Sequence, residues 1–427
     1  MNVQNGRRGR SLLAVIVTGS MLVLAACAPE PAASPTPEPT PTSSEDATYD
    51  GPIAFVGDEL DAFALTAEEI TGLVPEATDV AEISPVLEQV SDGGGMTAVP
   101  EICETFYAEQ SLGAVGARTI GWKVPSDPDV GFGRLLVIQF ADEVQAQQRM
   151  DQLLKAAQQC ASFVKETPAT YEAVITADSG DVRAFAGTLR DTASSNAWRS
   201  FTAYASTGNV LVELWQPFSG ERTFDAQAAA SLLQSRAQEA RDGLIEDLTA
   251  NPPIPEGGAA PSTGAAWSEW PIGVGGIGPV RLGDPIDAAV SAAGGTASAP
   301  EYDGGPWTIV NERQSGTLSL QPVEGGTTLA SITAGNSRTF DEPTQTGADL
   351  PSRGDVRVGD TAAKAMTAYP GGTTVVVASS GDYYYAVSTR EGVLFVFHTD
   401  IRADEAGSSI IGITVEDATQ RKSLVFG

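Results

Sequence analysis

The sequence predicts an α+β protein of two domains, each with an antiparallel sheet packed by helices. Three observations lead to this prediction. Two stretches rich in Pro, Ala, Ser or Gly, at 27–50 and 251–265, divide the 427 residues into two long segments. In both segments, short runs of β-branched and aromatic residues alternate with a few Ala-rich helical stretches. A pentapeptide recurs within the second segment, so the second domain is predicted to be a tandem repeat.

Residues 1–26 have the three-part layout of a secretory signal peptide. Three arginines precede an apolar run at 12–24, which is shorter than the roughly 20 residues that a membrane-spanning helix needs. The next residues, Leu24-Ala25-Ala26-Cys27, resemble the processing box of bacterial lipoproteins. This resemblance implies cleavage before Cys27 and lipid on its thiol, with 27–50 as a disordered tether. We therefore expect a lipid-anchored protein that faces outward from the cell membrane. The alternative is an ordinary signal peptide that contains a cysteine.

The composition argues against several partners and chemistries. A formal net charge of −30 repels nucleic acids and anionic headgroups. The single histidine, His398, ends an apolar run, which indicates a structural strand residue rather than a catalytic one. Asp127 with Asp129, and Asp178 with Asp181, can offer oxygens to calcium, but solvated turn residues are the simpler interpretation. We expect no catalytic residue, metal or cofactor, because no zinc, phosphate-loop or nucleophile-elbow motif is present.

Only two cysteines remain once Cys27 is assigned to lipid. Cys103 and Cys160 would then lie in an oxidising compartment, which predicts a disulfide between them. Two separately buried thiols are the alternative.

The first domain, 51–250, is predicted to begin with a short helix. Thr66 and Glu69 have the spacing of a capping box, and the helix should run to Val74. A hairpin is expected around Gly208. The other predicted elements are strands at Arg118–Val124, Arg134–Phe140, Tyr171–Thr176, Ser195–Ser206 and Asn209–Gln216, and helices at Asp142–Gln159 and Phe224–Leu248.

This order of elements resembles the extracellular sensor domain of mycobacterial receptor kinases of the PknH type, and of lipoproteins that carry the same domain. The residues that carry the resemblance are Leu65–Ile70, Cys103, Val137–Ala146 and Gln158–Cys160. The resemblance implies a ligand cleft on one face of a central antiparallel sheet. It also implies a second disulfide, for which this sequence has no cysteines.

The second domain, 266–427, contains the repeat. The pentapeptide Val280–Asp284 recurs as Val356–Asp360, and an Ala-rich helix that ends at two glycines follows each copy. Strands are predicted at Thr317–Gln321, Thr328–Thr333, Thr374–Ser379, Tyr383–Thr389, Val393–His398 and Ile410–Val415. Because one unit cannot bury its own apolar face, we expect two half-domains that pack their sheets together. The pattern is similar to tandem modules of the β-lactamase-inhibitor and outer-membrane lipoprotein assembly type, which implies protein binding.

Aromatic residues give the candidate binding site. Trp122, Trp198, Tyr204 and Trp215 fall on predicted strands that pair with one another, so they should lie near one sheet. They either fill the core beneath the helices or line a pocket for a small or lipidic ligand.

The sequence therefore predicts a non-enzymatic cell-envelope lipoprotein that binds an extracellular ligand or an envelope protein. Two alternatives are an envelope hydrolase that uses carboxylates and an assembly factor that binds proteins through the repeat domain.

Overall fold

The computed structural model describes residues 48–89, 98–127, 130–191, 199–254, 265–338, 345, 347–422 and 424. Cys27, Trp198 and Asp129 lie outside these residues. None of the helices in the described ranges is both long enough and apolar enough to cross a membrane.

Five α-helices begin where the sequence offers a capping side chain or a proline. They are α1 (Ala67–Leu73), α2 (Glu143–Gln159), α3 (Ala226–Ala250), α4 (Ile286–Ala293) and α5 (Ala362–Ala368). The side chains of Thr66, Asp142, Asp225 and Thr361 each accept a hydrogen bond from the backbone N–H three residues later. Pro285 precedes α4. The predicted starts of α1 and α2 agree with these caps.

Twenty β-strands are formed by the described residues. They are β1 (Val86–Gln89), β2 (Ala98–Val99), β3 (Gly116–Lys123), β4 (Phe132–Gln139), β5 (Phe163–Lys165), β6 (Thr167–Ala177), β7 (Arg183–Asp191), β8 (Arg199–Thr207), β9 (Val210–Pro217), β10 (Ile272–Gly273), β11 (Gly276–Ile277), β12 (Val280–Arg281), β13 (Thr296–Ser298), β14 (Trp307–Val310), β15 (Thr317–Pro322), β16 (Leu329–Gly335), β17 (Thr373–Val377), β18 (Asp382–Ser388), β19 (Val393–Thr399) and β20 (Ile410–Asp417). The predicted α+β class, with antiparallel sheets packed by helices, is confirmed.

The first large sheet has eight strands in the order β2-β5-β6-β7-β8-β9-β4-β3, and all neighbouring pairs are antiparallel. Helix α3 packs on one face and α2 on the other, so we call these the α3 face and the α2 face. Buried Ala and Leu residues of α3 recur three or four positions apart, as a helix resting on a sheet requires. Strand β7 was not predicted, because its Ala and Gly residues are weak strand formers.

The second large sheet has nine strands in the order β1-β17-β18-β19-β20-β16-β15-β14-β13. The two predicted half-domains join their sheets through a shared strand pair rather than by stacking. Strands β16 and β20 pair antiparallel instead, so the two meanders join edge to edge and bury their apolar face beneath α4 and α5. A small three-stranded sheet, β10-β11-β12, precedes α4.

The two copies of the pentapeptide lead into similar structures. Each is followed by a helix and then four strands. The N–H of Gly283 donates to Leu329 O at 2.8 Å, and the N–H of Gly359 donates to Ile410 O at 2.7 Å. Leu329 and Ile410 are the first residues of the last strand in each copy, so the same loop is tied to the same strand twice.

The two large sheets are in direct contact. Strand β1 comes from the first segment of the chain, yet it pairs in parallel with β17 of the second. Arg118 on β3 is 2 % exposed; its guanidinium donates to Asp61 at 2.7 Å and to Gly371 O at 3.0 Å. These contacts connect both segments within one compact unit, Thr48–Gly427.

The disulfide between Cys103 and Cys160 is formed, as predicted. It connects the 3₁₀-helix Glu101–Phe106 to the end of α2. Both cysteines are fully buried in the core on the α2 face.

Candidate functional site

The α2 face carries a cluster of polar side chains at one end of the sheet. Register brings its members together, because directly paired residues of neighbouring antiparallel strands project from the same face. Arg134 pairs with Trp215, Trp215 pairs with Thr202, and Glu213 pairs with Tyr204. Tyr171 joins them from β6. We call these six residues, Arg134, Tyr171, Thr202, Tyr204, Glu213 and Trp215, the polar cluster.

Glu213 is the buried charge at the centre of the polar cluster. The residue is 5 % exposed. Tyr204 Oη donates to Glu213 Oε1 at 3.1 Å. Glu213 Oε2 has no hydrogen-bond partner in the described part of the chain. Burial raises the pKa of Glu213, while the nearby Arg134 guanidinium opposes this rise. Leaving such a group half satisfied costs free energy, so an additional hydrogen-bond donor would be favourable here.

Arg134 lies beside Glu213 and is the more exposed of the two. Its Nη2 lies 3.7 Å from Glu213 Oε2, beyond the roughly 3.2 Å upper limit of an N–H···O hydrogen bond. Its side chain is 33 % exposed, while its Nε is buried and makes no hydrogen bond with any described residue. Arg134 and Glu213 therefore form a long ion pair that lacks a hydrogen bond.

An aromatic surface borders Arg134. Its guanidinium carbon lies 5.4 Å from the centroid of the Trp215 ring, within the range of a cation–π contact. Phe132 packs against Trp215 with ring centroids 5.5 Å apart, and Phe132 is 54 % exposed. The cluster is therefore open to solvent at this edge.

Tyr171 and Tyr204 are the fully buried members of the polar cluster. Tyr171 Oη and Thr202 Oγ1 are 2.9 Å apart and share a hydrogen bond. Tyr171 crosses β7 at Gly187, where a Cβ would lie only 2.5 Å from the Tyr171 ring. Burial raises the pKa of both Tyr171 and Tyr204, so the two phenols stay protonated at neutral pH.

Of the aromatic residues predicted from the sequence, the structure brings Tyr204 and Trp215 together on the α2 face. Trp122 belongs to the same sheet but lies in the core on the opposite α3 face, where its Nε1 donates to Gln216 Oε1 at 2.7 Å. Gly133 makes this bond possible, because a Cβ there would lie 2.4 Å from both bonded atoms. Trp198 lies outside the described residues.

Sequence reasoning missed four site residues: Arg134, Tyr171, Thr202 and Glu213. The available signal was Glu213 itself, a carboxylate inside the apolar strand Val210–Pro217. Charged residues are almost never buried without a partner, so this position pointed to a special environment.

The other candidate residues have structural contacts. His398 lies in β19 and its Nε2 is 2.8 Å from Thr414 Oγ1; burial lowers the pKa of His398 to about 4. Asp127 is not a solvated turn residue as expected. It is 1 % exposed and accepts hydrogen bonds from the backbone N–H and hydroxyl of Ser219, both at 2.7 Å. Asp181 pairs with Arg241. No group of three or more His, Cys, Asp or Glu side chains in the described ranges is placed to hold a metal ion.

A wide cleft of about 1290 Å³ lies elsewhere, against the nine-stranded sheet. Its walls include Tyr302, Trp307, Gln321 and Lys422, and none of its lining residues belongs to the polar cluster. Lys422 and Glu324 in this cleft pair with each other at 2.8 Å.

Comparisons with known proteins include similarities to two solved structures. No protein-family model matches the chain, and no curated protein matches it in sequence. The chain is similar to the extracellular domain of PknH from Mycobacterium tuberculosis, with 11 % identity and a TM-score of 0.30. That similarity covers 47 % of this chain and all of the PknH domain. It is also similar to the Rv0999 ortholog of Mycobacterium smegmatis, a putative uncharacterized protein, with 15 % identity, a TM-score of 0.28, and coverage of 43 % and 97 % of the two chains.

Proposed function

We propose that the protein is a non-enzymatic lipoprotein of the cell envelope that binds an extracellular ligand at the polar cluster. The observation that carries this proposal is Glu213, whose Oε2 is buried and unbonded beside the partly exposed Arg134. Native proteins bond nearly all of their buried polar atoms. Eight buried side-chain atoms of the described residues lack a hydrogen-bond partner. Two of them, Glu213 Oε2 and Arg134 Nε, belong to the polar cluster, and we propose that a ligand supplies their missing partners.

The groups present suit binding. Small-molecule sites combine apolar and aromatic walls with a few placed donors and acceptors. Phe132 and Trp215 supply the aromatic wall, Arg134 supplies a donor, and Glu213 supplies an acceptor. The buried hydroxyl of Tyr204 is hydrogen-bonded to Glu213, and that of Tyr171 to Thr202, so both residues are held in position.

The anchor is a second part of this proposal. Lipid on Cys27, followed by the tether 27–50, would hold the domains outside the membrane without a spanning helix. Replacing Cys27 by Ser should release the protein into the medium. Continued recovery of Cys27→Ser in the membrane fraction would contradict lipid anchoring.

The second segment is proposed to be a tandem repeat. Support comes from the matched order of helix and strands in the two copies, and from the matched hydrogen bonds of Gly283 and Gly359. A role of this segment in binding an envelope protein is compatible with ligand binding at the polar cluster, which belongs to the other sheet.

Native mass spectrometry of the full chain, purified in detergent from its producing cells, tests the binding proposal. We expect a non-covalent adduct that survives in Trp122→Phe, a change on the α3 face, and is lost in Trp215→Ala. Equal retention by both variants would show that the ligand does not occupy the polar cluster. A protein that carries no adduct, even after incubation with an envelope extract, would contradict the function.

A further inference from the structure

The unbonded atoms of the polar cluster restrict the chemistry of its ligand. Glu213 Oε2 needs a donor, and Arg134 Nε needs an acceptor. The two side chains are held with Arg134 Nη2 only 3.7 Å from Glu213 Oε2. One ligand group, or two adjacent groups, can therefore satisfy both residues at once.

The charge of the cluster restricts the ligand further. Arg134 and Glu213 carry opposite charges, so the pair offers no net attraction to an ion. A ligand cation would be repelled by Arg134, and a ligand anion by Glu213. A neutral ligand that both donates and accepts hydrogen bonds fits this pair better than either ion.

Hydroxyl groups meet these requirements in the simplest way. Each hydroxyl carries one donor and two acceptor lone pairs on a single oxygen. Neighbouring hydroxyls on a ring can thus donate to Glu213 while accepting from Arg134. Hydrogen bonds to charged partners are roughly twice as strong as neutral ones, which suits a ligand that water also solvates well.

The aromatic side chains of Phe132 and Trp215 restrict the ligand further. Phe132 is 54 % exposed and packs against Trp215 beside the Arg134 guanidinium. A flat ring that is polar at its edge and carries C–H groups on its face can bury that face against these rings. Sugars have this combination of hydroxyl-bearing edges and C–H faces.

We infer that the ligand of the polar cluster is a neutral saccharide, whose hydroxyls bond Glu213 and Arg134 while its ring packs on Phe132 and Trp215. This inference rests on the proposed binding function and names the class of ligand.

Calorimetric titration of the full chain in detergent with neutral gluco-, manno- and N-acetylchito-oligosaccharides tests the inference. We expect saturable binding of at least one of these sugars. Arg134→Met keeps the alkyl chain but removes the donors, and it should weaken affinity about 10-fold or more. Trp215→Ala should weaken affinity by a similar factor. Arg241→Met is the matched control, because Arg241 pairs with Asp181 on another element and lies outside the polar cluster; it should leave affinity unchanged.

The possible negative results distinguish failure of the saccharide inference from failure of the proposed binding function. If none of the sugars binds but an adduct of another class is found by native mass spectrometry, the saccharide inference is wrong and the binding function stands. If an amide-rich peptide binds with the same dependence on Arg134 while the sugars do not, the ligand class is likewise wrong. If a sugar binds equally to Arg134→Met and to wild type, the site has been misplaced. If neither sugars nor any extracted ligand bind, the proposed function fails as well.

Discussion

The two faces of the eight-stranded sheet differ in how their buried polar side chains are bonded. On the α3 face, the buried polar pair Trp122 and Gln216 is hydrogen-bonded internally at 2.7 Å, and α3 covers the face with seven buried Ala and Leu residues. On the α2 face, Glu213 and Arg134 form a 3.7 Å ion pair without a hydrogen bond, and one edge is open to solvent. The α3 face therefore resembles an ordinary core. The α2 face retains a buried carboxylate oxygen, Glu213 Oε2, that has no hydrogen-bond partner among the described residues.

This difference shows how burial can be interpreted. Aromatic content does not distinguish the faces, since Trp122 and Phe201 lie on one and Tyr204 and Trp215 on the other. The distinction lies in the kind of buried atom that lacks a hydrogen-bond partner: on the α2 face it includes the carboxylate oxygen Glu213 Oε2, whereas on the α3 face the unbonded atoms include Thr207 Oγ1 and Arg190 Nη1. A face built for stability should respond to substitution in its unfolding free energy, whereas a face built for binding should respond in affinity.

The largest effect on stability should come from the α3 face. Phe201 is fully buried and stacks on Phe224 with ring centroids 4.6 Å apart. Phe201→Ala should lower the free energy of unfolding by about 4 kcal/mol, through lost burial and the cavity left behind. Urea denaturation followed by circular dichroism measures this change. A loss below about 1 kcal/mol would mean that this face is not tightly packed.

A smaller loss is expected when the internal pair of the α3 face is broken. Trp122→Phe removes the donor to Gln216 Oε1 and leaves that buried oxygen without its partner. The expected cost is about 2 kcal/mol, with ligand binding unchanged in the folded protein. Loss of binding in a fully folded Trp122→Phe would show that the α3 face also contributes to ligand binding.

Glu213 should make the free energy of unfolding depend on pH. Its folded pKa is raised above 4.5 by burial, so ionisation costs more in the folded state than in the unfolded state. Wild-type stability should therefore fall as pH rises through the folded pKa, and this loss should be absent below 4.5. Glu213→Gln removes the ionisation, so the stability of this variant relative to wild type should rise with pH through this range.

The measurement is a series of urea denaturations across the acidic and neutral range for both proteins. The difference between wild type and Glu213→Gln should grow as pH rises. A difference that does not vary with pH would show that the Glu213 carboxylate is adequately solvated or paired.

The smallest effect on stability should come from Trp215, on the open edge of the α2 face. Trp215→Ala should change the free energy of unfolding by about 1 kcal/mol or less, because the edge is only partly buried. The same substitution should weaken ligand affinity about 10-fold or more. Parallel denaturation and calorimetry compare the two effects; a large loss of stability with unchanged affinity would assign Trp215 to the core.

Local signals in the sequence were sufficient for several elements but not for the site. The Thr66 capping box and the hairpin at Gly208 depend on neighbouring residues, so both could be predicted. The opposite placement of Trp122 and Trp215 could not, because it depends on the register between β4 and β9, which are distant in sequence. The pairing of β1 with β17 has the same origin.

The site residues illustrate the same limit. A carboxylate within an apolar strand marked Glu213 as unusual, but its proximity to Arg134 arises only when β4 and β9 pair. Tyr171 reaches Thr202 only because Gly187 leaves room above β7. These contacts join residues far apart in the chain, and propensity or periodicity does not encode them.

The most direct test of the account is an NMR titration of the Glu213 carboxyl carbon, assigned by comparison with Glu213→Gln. If Glu213 is buried with one oxygen unbonded, its pKa in the free protein should lie above 4.5. Bound saccharide should lower that pKa, because hydroxyls that donate to the carboxylate stabilise its charged form. A carboxyl that titrates at or below 4.5 in the free protein, and does not respond to the sugar, would contradict the account.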